Sequence, residues 1–184
     1  MGGLVTTGHR LFQSSLVGQS ELEVRNRSCM PAVSKMAESR SRDVMLRAFL
    51  VLWRDDRVLL LRCWDEKQEQ RSYRLIDVKL DGDDPAPVRL ARQAHDDLGI
   101  VVVSDDLSLV HVAHRRTDRQ YVDLFFATRV WAGAPALRTP SYCDELQWAE
   151  PGRLPEGTAV DARGGLEGIY RGRLFSMVGW SSIE

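Results

Sequence analysis

The sequence has few of the features that mark disulfide-rich, membrane-spanning or nucleic-acid-binding proteins. Its 184 residues include three cysteines, Cys29, Cys63 and Cys143, and no CxxC pair. This odd, widely spaced set predicts buried thiols rather than a disulfide framework, and favours a reducing, cytoplasmic location. No apolar run approaches the roughly 20 residues that cross a bilayer. The formal net charge of −1 gives no general attraction to membranes or nucleic acid polymers, so we expect neither as a partner.

The first 42 residues differ from the rest of the chain. They carry six Lys/Arg against three Asp/Glu, a local charge of +3, and they lack a sustained helical or strand period. We therefore interpret residues 1–42 as a flexible extension and residues 43–184 as one domain. The whole chain is 43% hydrophobic and 28% charged, a composition typical of globular proteins that bury a core.

Alternating and continuous apolar stretches predict the strands of that domain. "VMLRAFLVLW" and "VLLLRCW" flank the polar "RDDR" and predict a hairpin. "LSLVHVAHRR" and "YVDLFFATRVW" predict two further strands, antiparallel across "RTDRQ". "VVV" and "LQWAE" are also typical of strands, whereas "DEKQEQRSY" is typical of a polar loop. Residues 158–171 predict a closing helix that its glycines weaken. Together these elements predict an α/β or α+β sandwich.

A second helix is predicted over residues 86–98, within "KLDGDDPAPVRLARQAHDDLGI". Pro85 and Pro87 suit its first turn and Gly99 suits its end. The apolar residues recur at helical spacing and are expected to pack on a sheet; they are Val88, Ala91, Ala94, His95 and Leu98.

Acidic groups collect on one side of this helix. Residues three or four apart share a helix face, so Gln93, Asp96 and Asp97 project together. Carboxylates suit hard cations such as Mg²⁺, which is often held by one or two of them plus substrate phosphates. A solvated acidic face explains the same pattern, and Asp84 ahead of the helix also fits an N-terminal cap.

The spacing of these residues resembles the Nudix box of the Nudix hydrolases. That box runs Gly, five residues, Glu, seven residues, Arg-Glu-apolar-any-Glu-Glu-any-Gly-apolar. Arg92, Gly99 and Ile100 match it outright. The other positions are occupied by different residues at the same spacing: Val78 for the glycine, Asp84 for the first glutamate, Gln93 for the next, and Asp96 and Asp97 for the glutamate pair. The preceding hairpin and the later "ELQWAEPGRLP" also resemble family segments.

The resemblance implies a Nudix-type α/β/α sandwich with a mixed central sheet, and Mg²⁺- or Mn²⁺-dependent hydrolysis of a diphosphate-linked small molecule. Asp84, Asp96 and Asp97 would be the metal ligands, and Arg92 would brace the loop by pairing with Asp84. Gln93 stands where the family has a glutamate, yet an amide can only form hydrogen bonds. Each Glu→Asp change also withdraws a carboxylate by about 1.5 Å, enough to cost on the order of 100-fold in rate.

Three hypotheses therefore stay open. The first is a metal-dependent hydrolase with an altered box, in which Glu145 or Glu150 adds a base. The second is a Nudix fold with metal-independent chemistry on a small organic substrate, in which His111 or His114 acts as acid or base. The third is a binding module without turnover. Each histidine equally fits a core or surface position.

Tyr121, Asp123 and Phe125 share one face of their strand and form a candidate substrate-binding set, although aromatic residues there more often pack. The substrate is expected to be a small molecule. The sequence leaves open whether the protein forms a homodimer.

Overall fold

The computed structural model describes residues 44–66, 68–138 and 140–180. The predicted extension over residues 1–42 lies outside these residues. The described elements follow the order β1 (Met45–Arg54), β2 (Arg57–Asp65), β3 (Gln70–Arg74), β4 (Ile76–Lys79), α1 (Ala86–Leu98), β5 (Ser108–Arg116), β6 (Gln120–Thr128), β7 (Cys143–Ala149), α2 (Val160–Tyr170) and β8 (Phe175–Val178).

Strand β1 lies at the centre of a mixed sheet. Its neighbours give the order β3-β2-β1-β6-β5-β8, while β4 also pairs with β1 and β7 pairs with β2. The β1–β6 and β5–β8 pairs are parallel, and the other pairs are antiparallel. A strand covered on both faces is typically a continuous apolar run, and this accounts for "AFLVL" in β1.

The two helices cover opposite faces of the sheet. Successive side chains of a strand point to opposite faces, and β1 divides in this way. Ala48 and Leu50 belong to the core that α1 covers, through its buried residues Leu90, Ala94 and Leu98. Phe49 and Val51 belong to the second core, which α2 covers through Ala162 and Leu166. The predicted α/β/α sandwich with a mixed sheet is confirmed.

Helix α1 has the predicted bounds, and its core face differs from the predicted one. Gly99 ends the helix with a positive φ of 70°, and its N–H donates to the carbonyl of His95. Val88 and His95 were expected to face the sheet, but both are exposed. Leu90 takes that place, because the buried stripe repeats every fourth residue.

Several short elements differ from the sequence predictions. The β1–β2 hairpin and the β5–β6 pair are confirmed. Residues 101–103 form only an isolated bridge from Val101 to Ala132, not a strand. The predicted polar loop contains most of β3, and β8 was not predicted. Among the described residues, no helix is both long and apolar enough to cross a membrane.

The cysteine prediction is wrong for two of the three residues. Cys63 on β2 and Cys143 on β7 form a disulfide across a sequence separation of 80 residues. They lie opposite each other in an antiparallel pair, which sequence spacing does not show. The disulfide also removes the cysteine count as support for a reducing compartment. Cys29 lies outside the described residues.

Candidate functional site

A cavity of about 320 Å³ lies where α1 meets β2, β3, β4 and β7. Its volume is at the low end of the range for small-molecule sites. The walls combine apolar groups with a few charged ones, and the lining residues are Leu61, Cys63, Arg74, Leu75, Ile76, Asp77, Gln93, Asp97, Tyr142 and Cys143. We call it the Asp97 cavity.

Asp97 is the box carboxylate that reaches this cavity. Gln93, one turn earlier on α1, donates from Nε2 to Asp97 Oδ1 at 2.9 Å. Burial raises the pKa of Asp97, and the charge of Asp96 adds to this, while the Gln93 hydrogen bond opposes it. Gln93 therefore orients the carboxylate without adding charge, as expected for an amide.

A charged network borders the cavity opposite α1. Asp77 accepts hydrogen bonds from Arg74 Nη2 and from Arg47 Nη2, the latter at 2.6 Å. Arg47 also donates to Asp161 Oδ2 at 2.8 Å, which ties the network to α2. The second Arg74 amino group donates to Tyr142 Oη at 2.8 Å. A guanidinium held in this way is a fixed cation beside the cavity and suits phosphate recognition.

The predicted metal ligands do not come together. Arg92 Nη1 donates to Asp84 Oδ2 at 3.0 Å, which is the contact implied by the family resemblance. Asp84 and Asp96 are exposed, and neither lines the Asp97 cavity. Over residues 44–66, 68–138 and 140–180, no three side chains of His, Cys, Asp or Glu form a group that could hold a metal ion. The described donor set does not fit a preformed metal site. The assignment of Asp84, Asp96 and Asp97 as ligands stays a prediction.

The two candidate histidines lie on opposite faces of β5 and outside the Asp97 cavity. His111 is buried, with Nδ1 2.7 Å from the carbonyl oxygen of Arg173 and Nε2 2.9 Å from Ser176 Oγ. A carbonyl only accepts, so Nδ1 donates, and in the neutral ring Nε2 then accepts from the serine hydroxyl. His114 packs against the ring of Trp180 at 4.5 Å. These contacts are typical of structural histidines.

The set Tyr121, Asp123 and Phe125 does share one face of β6, where Asp123 and Phe125 are buried, and none of the three lines the Asp97 cavity. Phe125 stacks on Phe49 with ring centroids 4.7 Å apart. Asp123 accepts a hydrogen bond from Arg115 Nε at 2.8 Å, and burial raises the pKa of Asp123. The Arg115 guanidinium lies 4.0 Å from the Tyr121 ring centroid. In the described part of the chain, Arg115 Nη2 and Asp123 Oδ1 are buried without a hydrogen-bond partner.

The two glutamates suggested as additional bases are engaged elsewhere. Glu145 accepts from Tyr73 Oη at 3.3 Å and pairs with Arg62 at 2.9 Å. Glu150 pairs with Arg57 at 3.5 Å on the exposed surface. Neither residue lines the Asp97 cavity.

Sequence reasoning missed Arg74, Asp77 and Tyr142. Arg74 and Asp77 lie in "YRLIDVK", where two short strands flank Leu75. The apolar residues Leu75, Ile76 and Val78 were the available signal for strand structure there. Tyr142 gave no local signal, because only the pairing of β2 with β7 brings it to this cavity.

Comparison with known proteins gave matches to solved structures only. No protein-family model and no curated protein matches the chain. A MutT Nudix hydrolase from Burkholderia pseudomallei has a TM-score of 0.60 and 21% identity, over 68% of this chain and 97% of that one. The ORF135 protein of E. coli has a TM-score of 0.61 and 18% identity, over 71% and 91%.

A third similar structure, the MutT protein of Methanosarcina mazei Go1, has a TM-score of 0.59 and 15% identity, over 72% of this chain and 97% of that one. Such identities establish architecture and do not transfer an activity. The aligned region spans nearly the whole of each of these three proteins, and it agrees with the helix-covered mixed sheet described above. The chain therefore has the Nudix fold.

Proposed function

We propose that the protein is a Nudix-fold hydrolase that cleaves a diphosphate-linked nucleotide or similar small molecule in the Asp97 cavity. The observation that carries the proposal is the meeting of Asp97 from α1 with Arg74 from β3 in one cavity. A carboxylate and a fixed guanidinium supply two functions that assist water attack on a phosphorus atom: the carboxylate accepts a proton, and the guanidinium neutralises phosphate charge.

The reaction assigns a role to each of these side chains. Asp97 takes a proton from a water molecule. The oxygen of that water forms the new bond to phosphorus, and the bridging P–O bond breaks. Gln93 orients Asp97 through the 2.9 Å hydrogen bond. Arg74 binds phosphate oxygens, and its own position depends on Asp77. No metal-dependent step is included, since the described carboxylates do not gather into a metal-binding group.

The test is hydrolysis of a panel of diphosphate-linked compounds by purified protein, with chelator, Mg²⁺ or Mn²⁺ in separate arms. Asp97→Asn should lower kcat/KM at least about 100-fold, the usual scale for loss of a general base. Asp96→Asn is the matched control, because Asp96 is its exposed neighbour outside the cavity lining. Equal activity of wild type and Asp97→Asn would overturn the proposal. If hydrolysis strictly requires a metal and Asp97→Asn and Asp96→Asn lower kcat/KM equally, the result would instead favour Asp96 and Asp97 as metal ligands.

A second candidate is metal-independent chemistry on a small organic substrate in the same cavity. Two observations favour it. Gln93 stands where the family box has a glutamate, so one carboxylate is missing for a metal. The Asp77 carboxylate is already paired with two arginines. It predicts turnover in chelator and no diphosphate hydrolysis. A binding module would differ from both candidates, because it would bind a ligand but convert none of the compounds in any arm of the panel.

A further inference from the structure

The disulfide between Cys63 and Cys143 forms part of the wall of the Asp97 cavity. Both residues are buried, on β2 and β7 respectively. The β2–β7 pairing shifts register between Arg62 and Cys63. The covalent bond therefore joins the two strands at the point where their regular ladder is interrupted.

Tyr142 immediately precedes the disulfide and is fastened at several points. Its carbonyl accepts from the Trp64 amide at 3.0 Å and from Arg71 Nη1 at 2.7 Å. Its hydroxyl accepts from Arg74 Nη1 at 2.8 Å. Tyr142 as a whole residue is 43% exposed and also lines the cavity, so one part of it borders the cavity and another part faces solvent.

The segment that precedes Tyr142 is also hydrogen-bonded to helix α1. The amides of Ala136 and Arg138 donate to the carbonyls of Leu98 and Asp97, at 3.0 and 2.9 Å. Tyr142 therefore lies between a hydrogen-bonded attachment to α1 and a covalent attachment to β2. Breaking the disulfide would leave the backbone of Tyr142 held only by hydrogen bonds, each of which contributes little net stability.

Building on the proposed function, we propose that Tyr142 is the specificity-determining wall of the Asp97 cavity and that the Cys63–Cys143 disulfide holds it there. In the oxidised protein the phenol ring limits how large a group attached to the diphosphate can be. A dithiol would supply two electrons and two protons, leaving thiols on both cysteines and itself becoming a cyclic disulfide. Tyr142 is then released, and the cavity accepts larger ligands.

The first experiment measures binding, so it does not require turnover. Dissociation constants for inorganic diphosphate and for a nucleoside diphosphate give a ratio that reports the available space. In Tyr142→Ala the ratio should shift about tenfold towards the larger ligand. Tyr142→Phe, which keeps the ring and loses only the hydroxyl bonded to Arg74, should keep the wild-type preference. An unchanged ratio in Tyr142→Ala would overturn the assignment of Tyr142.

The second experiment follows amide hydrogen exchange with no ligand present. The Trp64 amide is bonded to the Tyr142 carbonyl, so its exchange reports whether that residue stays in place. On reduction with a dithiol, Trp64 should exchange at least ten times faster. Leu60, opposite Gln147 in the regular part of the ladder, should be unaffected.

The outcomes separate this proposal from the proposed function. Unchanged Trp64 exchange would overturn the role of the disulfide, and so would faster exchange at Trp64 and Leu60 together, which would mean general unfolding. If the binding ratio and the Trp64 exchange change as expected while no compound is hydrolysed, the proposed hydrolase function fails and the wall assignment stands. The Cys63→Ser/Cys143→Ser double variant should reproduce the reduced protein in both measurements.

Discussion

At the scale of single residues, the buried pair of Arg115 and Asp123 is an energetic weak point. Arg115 is 6% exposed and Asp123 is fully buried, yet each keeps one buried polar atom without a partner among the described residues. Removing one member leaves an uncompensated buried charge, at a typical cost of about 3–5 kcal/mol, which is a large part of a domain stability of about 5–15 kcal/mol. Arg115→Met should therefore lower the free energy of unfolding at pH 7 by about 3–5 kcal/mol, measured by urea titration.

The pH dependence of this variant follows from Asp123. Burial already raises the pKa of Asp123 above its ordinary value, and losing the cation raises it further. A raised pKa in the folded state means that stability is present below the ordinary pKa and is lost as the pH rises through the folded one. Arg115→Met should thus recover stability between pH 7 and pH 4. The double variant Arg115→Met/Asp123→Leu should be near neutral at both pH values. An equal loss at both pH values in the single variant would contradict the buried-charge explanation.

At the scale of elements, helix α2 shows why glycine occurs where helix propensity opposes it. A Cβ at Gly165 would overlap the ring of Phe125, and one at Gly168 would overlap the imidazole of His111. The two glycines let α2 lie directly on β6 and β5, and this close approach offsets a propensity cost of roughly 1 kcal/mol each.

Gly165→Ala should therefore destabilise the protein by about 1–3 kcal/mol despite its better helix propensity, because the Phe125 ring, stacked on Phe49, has to move. Gly164→Ala is the matched control one residue away, where an added Cβ meets only the Val178 side chain, with Cγ2 at 3.2 Å and Cγ1 at 3.9 Å. It should change stability by less than about 1 kcal/mol. Thermal melting followed by circular dichroism measures both variants, and a stabilised Gly165→Ala would contradict the packing argument.

Elements with a strong period were predictable from the sequence, as was the short strand at "LQWAE", most of which is part of β7, but the shortest strands were not. Helix α1 and the β1–β2 and β5–β6 pairs carry long apolar patterns and were found. Strands β4 and β8 have four residues each, too few to establish a period. The residues of the candidate site also divide into those that the sequence predicted and those that it did not. Gln93 and Asp97 follow from helix spacing, whereas Arg74 and Tyr142 come together only through strand pairing between distant segments.

At the scale of the whole molecule, the disulfide closes a loop across most of the sheet. Cys63 and Cys143 are 80 residues apart in sequence, and the chain between them includes β3, β4, α1, β5 and β6. A cross-link restricts the unfolded chain more as the loop lengthens, and a loop of this length corresponds to about 4.5 kcal/mol in the chain-entropy description. Ion pairs of Arg62 with Asp144 and Glu145 join β2 and β7 independently of the sulfur atoms.

Reduction should consequently lower the melting temperature by roughly 10 °C while leaving the protein folded at 25 °C, since about 4.5 kcal/mol is less than a typical domain stability of about 5–15 kcal/mol. Calorimetry with and without a dithiol measures the shift. Cys63→Ser/Cys143→Ser should melt at the reduced temperature whether or not the dithiol is present. Cys29→Ser, which leaves the disulfide intact, should keep the full response to reductant. A melting temperature that the dithiol leaves unchanged would mean that the cross-link does not constrain the unfolded chain. The ion pairs and the regular part of the ladder would then be sufficient to hold β7 on β2.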